Sequence, residues 1–361
     1  MKILFIAPLP PPITGQSLAS QVFLDSISDA HDVTVVNFSK KGFKEGATSL
    51  GRFWDIFKVL SSILKKKSGS DIIYLTISES LAGNFKDLLT YLICFRHLPR
   101  FFIHLHGGSI GKLLLDRNPI LRRLNAYFIG RMGGVIILGK SHMCIFKGMI
   151  DFDRIHIVPN FAEDIYFCAE GEIISKYNSG GPLRILYLGN LIEGKGYKEL
   201  LAAFEMFEKS ERSDIKIDFA GAFESDGEKK AFLDRIHKFP EIVYHDVVRG
   251  EIKKKLLQEA HVFCLPTGFS EGQPISILEA YASGCTVIST MMGGIVDIFT
   301  DQVHGFTIKE KSAVSVKIAL QKILMNRSYL LKIGINNRRE AWAKYRTQTF
   351  NQSLQKIIGN A

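Results

Sequence analysis

Gly268-Phe-Ser-Glu-Gly-Gln-Pro-Ile-Ser-Ile-Leu-Glu279 is the stretch on which the fold turns. An apolar run, His261-Val-Phe-Cys-Leu-Pro266, precedes it and reads as a buried strand. Pro274 marks a helix start, and Ile275-Ser-Ile-Leu-Glu-Ala-Tyr-Ala282 continues at helical spacing. The loop therefore sits at the carboxyl end of a strand and feeds the positive end of a helix, where open α/β sheets bind anions. Glu271 lies before the first turn and Glu279 about one turn inside. A carboxylate would repel a phosphate, so the two acids are assigned to hydroxyls: a sugar for Glu271, a ribose for Glu279. The spacing equally fits a capping acid and a surface acid on an ordinary βα unit.

The rest of the chain repeats this unit. In the first half Lys2–Ala7, Val33–Asn37, Ile72–Thr76, Phe101–His106, Val135–Leu138 and Ile155–Val158 read as strands. In the second half Arg184–Leu188, Lys216–Ala220, Ile242–His245, His261–Leu265, Thr286–Ser289 and Gly305–Ile308 do so. The runs are continuous rather than alternating, as in parallel strands covered on both faces. Helices fit between them, for example Lys198–Lys209 and Glu251–Ala260. Alternating βα units in 361 residues predict an α/β protein of two doubly wound domains. Lys176-Tyr-Asn-Ser-Gly-Gly-Pro182 is the best linker. The expected domains are 1–176 and 183–345, with a last helix at about 346–361 returning to the first.

Several strand-end loops are candidates for chemistry. Pro8-Leu-Pro-Pro-Pro-Ile-Thr-Gly-Gln-Ser17 follows the first strand, and Gly15 would let a ligand approach the backbone. His104-Leu-His-Gly-Gly108 puts two histidines on one side of a strand, as donors to a sugar or phosphate or as structural groups. Val158-Pro-Asn-Phe161 reads as a turn, and Met291-Met-Gly-Gly-Ile295 as a turn or a close approach to a ligand. Tyr187-Leu-Gly-Asn-Leu-Ile-Glu-Gly-Lys-Gly-Tyr197 sets Lys195 between two glycines at a helix start, a reasonable anion clamp. It is not a P-loop, because no Ser or Thr follows the lysine. Asp151-Phe-Asp153 has the Asp-x-Asp form of a metal site but lies in a polar connector and reads as a surface turn, so no metal is expected.

Together these pieces resemble the family 4 retaining glycosyltransferases, whose GT-B architecture has two Rossmann-like domains and an interdomain cleft. The carrying motif is Glu271-Gly-Gln-Pro-Ile-Ser-Ile-Leu-Glu279, followed by Ala280-Tyr-Ala-Ser-Gly-Cys-Thr-Val-Ile288 and Gly293-Gly294. The Gly189–Gly196 loop, His106-Gly107, Pro159-Asn160 and the Gly15 loop fall in family order. The resemblance implies that Lys195 neutralises the departing diphosphate, Glu271 holds the donor sugar and Glu279 the ribose. It implies that His106 lies near the transferred sugar. It makes Gly15, Asn190, Gly272, Gln273, Pro274, Ile275 and Ser276 donor-binding. The family usually has a basic residue where Asn190 stands, so a second cation is missing at that place. The implied reaction moves a sugar, with retained configuration, from a nucleoside-diphosphate sugar, UDP-linked, to a glycan or polyprenyl-linked acceptor for a bacterial surface polysaccharide. Alternatives are an epimerase or hydrolase of the same fold, or an inactive transferase subunit. No cofactor is expected beyond the donor substrate.

Net charge is +10. Segment 40–67 holds eight basic residues (Lys40, Lys41, Lys44, Arg52, Lys58, Lys65, Lys66, Lys67) against Glu45 and Asp55. Within it Phe53, Ile56, Phe57, Leu60 and Leu64 form a stripe, which reads as a helix packed on the first sheet. Its lysines also suit an anionic leaflet, and Arg117 to Arg131 with Leu121, Leu124, Tyr127 and Phe128 could extend the surface. No nucleic-acid motif accompanies the charge. No apolar run is long enough to span a bilayer, and the start reads as a strand rather than a signal peptide. The five cysteines form no close pairs, as in a reducing compartment. The expectation is a cytoplasmic protein, peripheral on the inner face of the cell membrane.

Overall fold

The structure is a computed structural model that describes residues 1–39 and 49–359. Lys40, Lys41, Lys44 and Glu45 of the basic run lie outside the described residues, as do the side chains of Arg52 and Phe53. The chain divides into two units. The first comprises Met1–Asn160, Ser270–Gln273 and Gln348–Ala361; the second comprises Phe161–Phe269 and Pro274–Thr347.

The first unit holds strands β1 (Lys2–Ala7), β2 (Asp32–Asn37), β3 (Ile72–Thr76), β4 (Phe101–Leu105), β5 (Gly134–Ile137) and β6 (Ile155–Ile157). They form one parallel sheet in the order β2-β1-β3-β4-β5-β6. Helices α1 (Gly15–Ser28), α2 (Ser49–Lys66), α3 (Leu81–Ile93) and α4 (Pro119–Ile129) connect them. β3 and β4 are buried along their whole length, which is why their sequences do not alternate. Phe5 of β1 stacks on Tyr74 of β3 with ring centroids 4.9 Å apart. The strand order reverses between β1 and β3, so the loops after these two strands diverge at a switch point.

The second unit holds β7 (Leu183–Leu188), β8 (Ile215–Ala220), β9 (Ile242–Tyr244), β10 (Val262–Leu265), β11 (Thr286–Ser289) and β12 (Gly305–Thr307). Their order is β12-β11-β10-β7-β8-β9, again parallel, with the reversal between β7 and β10. Its helices are α5 (Glu170–Asn178), α6 (Tyr197–Glu205), α7 (Lys209–Arg212), α8 (Asp226–Ile236), α9 (Gly250–Glu259), α10 (Ile275–Ala282), α11 (Ala313–Met325) and α12 (Ser328–Lys344). Both units are doubly wound and Rossmann-like, and two such units in one chain are the GT-B architecture.

The boundary differs from the one drawn at the glycine-rich turn. Residues from Phe161 onward already belong to the second unit. Ala162 donates its N–H to the Tyr345 carbonyl at 2.8 Å, and Cys168 to that of Ala282 at 3.1 Å. On α5, Lys176 Nζ donates to the carbonyls of Ala260 (2.8 Å) and Ser283 (2.9 Å). The Tyr177 hydroxyl donates to those of His261 (2.9 Å) and Gly284 (3.0 Å). Gly180-Gly181-Pro182 is therefore a turn inside this unit, between α5 and β7. The last helix, α13 (Thr347–Gly359), buries Phe350, Leu354 and Ile358, and Gln355 Nε2 donates to the Ser26 carbonyl of α1 at 2.8 Å.

The α2 stripe is distributed differently from the sequence reading. Ile63 is fully buried, whereas Phe57, Leu64 and Trp54 face solvent. The inward edge runs through Val59 and Ile63, and α2 packs on β2 and α3. Four cysteines are buried and Cys144 is exposed; all five are free thiols.

Candidate active site

In the first unit the polar groups gather at the carboxyl ends of β3 and β4. His104 of β4 is wholly buried, and its Nδ1 shares a 2.6 Å hydrogen bond with the Tyr74 hydroxyl. His106 lies against it, ring centroids 3.9 Å apart at 35°. The alternation read from the sequence thus places both rings on one side. Among the described residues neither ring nitrogen of His106 is bonded to a protein group, nor is Nε2 of His104 or the Thr76 hydroxyl, although all these atoms are buried. Unpaired buried donors and acceptors at strand ends are expensive unless a ligand completes them. Burial holds His106 down to about 3 and His104 well below the ordinary imidazole range. Both rings are therefore neutral at physiological pH and act as hydrogen-bonding groups, not as cations.

The segment Ser270–Gln273, which carries Glu271, belongs to this unit and packs on the His106 loop. Ser270 Oγ donates to the Gly108 carbonyl at 3.1 Å, and Ser109 Oγ to that of Ser270 at 3.3 Å. A Cβ at Gly272 would stand 1.9 Å from the His106 carbonyl oxygen, so only glycine fits there. Gln273 is nearly buried and is held by Asn160. Asn160, in the stretch read as a turn, is thus the anchor of the motif in this unit. Gly15 opens α1 behind the Thr14 cap, exposed at the β1 side of the switch point.

In the second unit the Gly189–Gly196 loop follows β7. The Tyr187 hydroxyl donates to the Asn190 carbonyl at 3.1 Å, and Leu191 donates its N–H to the Ala222 carbonyl at 2.8 Å. Gly194 and Gly196 have φ of 94° and 91°, conformations that side-chain-bearing residues avoid. Gly196 also lies so close to Pro266 that a Cβ would sit 2.3 Å from its carbonyl oxygen. Gly268 donates to the Gly194 carbonyl at 2.7 Å, which ties the loop after β10 to the loop of Lys195 at the switch point. Lys195 itself is half-buried. α10 begins at Ile275 after Pro274, and Ser276 stands half-exposed in its first turn. The first amides of a helix point outward without an intrahelical acceptor, a place for anionic oxygens.

Glu279 is 1% exposed, and its Oε1 accepts from Lys253 Nζ of α9 at 2.6 Å. The Lys253 ammonium also stands 4.6 Å from the centre of the Tyr166 ring. Burial pushes the Glu279 carboxyl up, and Lys253 pulls it back. The acid is therefore an ion-paired member of the unit's interior, and sequence spacing gave no sign of Lys253. Gly293 opens a short turn with φ of 59°. Asp151 and Asp153 are exposed, and Asp151 pairs with Arg154 at 2.8 Å. Among the described residues no three His, Cys, Asp or Glu side chains are grouped closely enough to hold a metal ion.

Comparison with known proteins adds sequence and fold relationships. Residues 170–347 match the family model described as glycosyl transferases group 1. Over 137 residues the chain is 32% identical to the putative teichuronic acid biosynthesis glycosyltransferase TuaC of Bacillus subtilis, covering 38% of this chain and 32% of TuaC. It thus spans only about a third of that relative's length. It is 29% identical over 346 residues to the 2-deoxystreptamine N-acetyl-D-glucosaminyltransferase of Niallia circulans, covering 87% of this chain and 83% of that one. Among solved structures, HepE of Anabaena in complex with UDP superposes with a TM-score of 0.75 at 16% identity, covering 100% of both chains.

Proposed function

We propose, from the match of residues 170–347 to the glycosyl transferases group 1 family model, that the chain is a retaining family 4 transferase. It moves a sugar from a nucleoside-diphosphate sugar, UDP-linked, to a lipid-linked glycan acceptor of a surface polysaccharide. The observation that carries this reading is the tie between Gly268 and Gly194, which fastens the lysine loop at the switch point of the second sheet. The relative named for teichuronic acid biosynthesis and the UDP held by HepE support the polymer and the donor class.

In the reaction the bond from the anomeric carbon to the diphosphate oxygen breaks and one to the acceptor oxygen forms on the same face. The acceptor proton passes to an oxygen of the leaving diphosphate. Negative charge grows on that group, so fixed positive charge lowers the barrier. Lys195 supplies it, with the first-turn amides of Ile275 and Ser276 for the phosphate oxygens. Asn190 adds a neutral contact, and Glu279, oriented by Lys253, takes the ribose. In the first unit His106 offers a neutral imidazole to a sugar hydroxyl, Glu271 and the Gly272–Gln273 backbone hold the sugar, and Gly15 leaves room for a close backbone approach. The donor is tested by the shift in melting temperature with a panel of nucleotide sugars. A stabilisation by one of them supports the reading; none across the panel removes it.

The same chain is proposed to dock on an anionic leaflet. Helix α3 lies between α2 and α4 and exposes Leu81, Phe85 and Leu92, with Phe95 just beyond its end. Trp54 and Phe57 on α2 and Ile120 and Tyr127 on α4 are exposed too. Exposed Arg96, Arg100 and Arg123 flank these groups, and Arg131 stacks on Tyr127 at 3.8 Å. Large apolar side chains gathered on neighbouring helices and mixed with cations match the chemistry of a lipid interface. Lys66 and Lys67 are partly engaged, donating to the carbonyls of Val35 and Ile93. Among the described residues no helix is long and apolar enough to cross a membrane.

A further inference from the structure

His106 is followed by a loop of two glycines, and one acid outside the motif grips that loop. Glu79 lies in the turn after β3, on the β3 side of the switch point in the first sheet. Its Oε1 accepts the N–H of Ser109 at 2.6 Å and of Ile110 at 2.9 Å. Its Oε2 occupies the space above Gly107, where a Cβ would be 1.8 Å away. On the opposite side the loop rests on the Ser270–Gly272 backbone: a Cβ at Gly108 would stand 2.5 Å from the Glu271 carbonyl oxygen. The loop is thus enclosed between a carboxylate and a backbone segment of the same unit, and its glycines are required by both.

A charged acid is a costly way to satisfy two amides. Burial pushes the Glu79 carboxyl up; the two amides draw it back and neighbouring Glu271 adds to the rise. A neutral acceptor would avoid that cost. Charge-assisted bonds are shorter and roughly twice as strong as neutral ones, so the acid yields a stiffer loop. The imidazole of His106 is located from behind by His104, itself held by Tyr74. Its backbone is located by the loop that Glu79 grips. Among the described residues both nitrogens of the ring are buried and have no protein hydrogen-bond partner.

We propose that Glu79 is the positioning residue for His106, fixing the loop so that the imidazole meets the sugar in one orientation. The inference rests on the transferase reading for the role of His106. Glu79 acts through the loop, and Glu271 remains the acid assigned to the sugar.

The test uses the full chain with Glu79→Ala and Glu79→Gln. Hydrogen exchange at residues 106–110 reads the loop directly. It should quicken about tenfold to a hundredfold in Glu79→Ala, the scale of a lost bond to a charged acceptor, and much less in Glu79→Gln. In transfer assays kcat should fall by a similar factor in Glu79→Ala, with donor KM changed less than about threefold and recovery in Glu79→Gln. Unchanged exchange and kcat in Glu79→Ala overturn the proposal. So does faster exchange spread over the whole unit with no recovery in Glu79→Gln, which marks a merely structural acid. A wild-type chain that turns over no nucleotide sugar refutes the transferase reading, while the exchange result still decides whether Glu79 holds the loop.

Discussion

Asn160 donates its backbone N–H to Gln273 Oε1 at 2.6 Å and its side-chain amide to the Gln273 carbonyl at 2.7 Å. Both residues are 4% exposed. The two are 113 positions apart, yet each meets the other's main chain. The pair joins the end of the β6 turn to the residue before the α10 proline, and Gln273 Nε2 extends it to the Leu138 carbonyl at 3.4 Å.

Replacing Asn160 with Ala removes one of these bonds and leaves the Gln273 carbonyl without its buried donor. Such a loss costs about 1–3 kcal/mol. Denaturant unfolding of Asn160→Ala should show a lower midpoint by that amount. Donor affinity should drop as well, because Gln273 leads into α10. A midpoint and donor affinity equal to wild type would separate this pair from the motif.

Much of this was readable in advance, and the exceptions have physical causes. The strands read as largely apolar runs because both faces of each parallel sheet are covered, and the polar groups within β3 and β4 (Tyr74, Thr76 and His104) are buried with their apolar neighbours. The unit boundary was not readable, because Gly180-Gly181-Pro182 signals a turn whether or not domains part there. Its true place depends on what Lys176 and Tyr177 reach, which only the folded chain reveals. The α2 stripe was rotated for a related reason. A broad apolar arc does not say which edge faces inward, and Ile63 rather than Phe57 won the core. Glu79 and Lys253 left no trace in spacing. One is an acid between two serines and the other a lysine among lysines, and each acquires meaning only from a neighbouring strand or helix.

The histidines carry a pH signature. His106 is neutral in the fold down to about 3 because burial disfavours its charged form. In the unfolded chain it protonates near its ordinary value, about 6.5. Between these limits the unfolded state binds more protons, so this residue makes stability fall as pH falls. His106→Gln should gain on wild type by about 2 kcal/mol between pH 7 and pH 5, measured by urea unfolding. An equal response in both proteins would mean that the ring is solvated.

The exposed apolar groups of α3 predict membrane behaviour. Phe85→Ser with Leu92→Ser removes contact area while leaving the core alone, since both side chains face solvent. Flotation with phosphatidylglycerol vesicles should weaken by about tenfold or more, in line with about 1.5–3 kcal/mol for each large apolar group buried. Arg96→Ala with Arg123→Ala should weaken it further at low salt than at high salt, each cation being worth about 1 kcal/mol near an anionic surface. Undiminished flotation in the apolar pair would place the docking surface elsewhere.

The central claim is that the glycine-flanked ammonium of Lys195 grips a nucleoside diphosphate. Calorimetric titration of wild type and Lys195→Ala with UDP tests it most directly, with circular dichroism to establish that both are folded. The account predicts saturable binding by the wild type and a loss of tenfold or more in Lys195→Ala, the scale of a charge-assisted bond to phosphate. Equal affinity in the two proteins would contradict it.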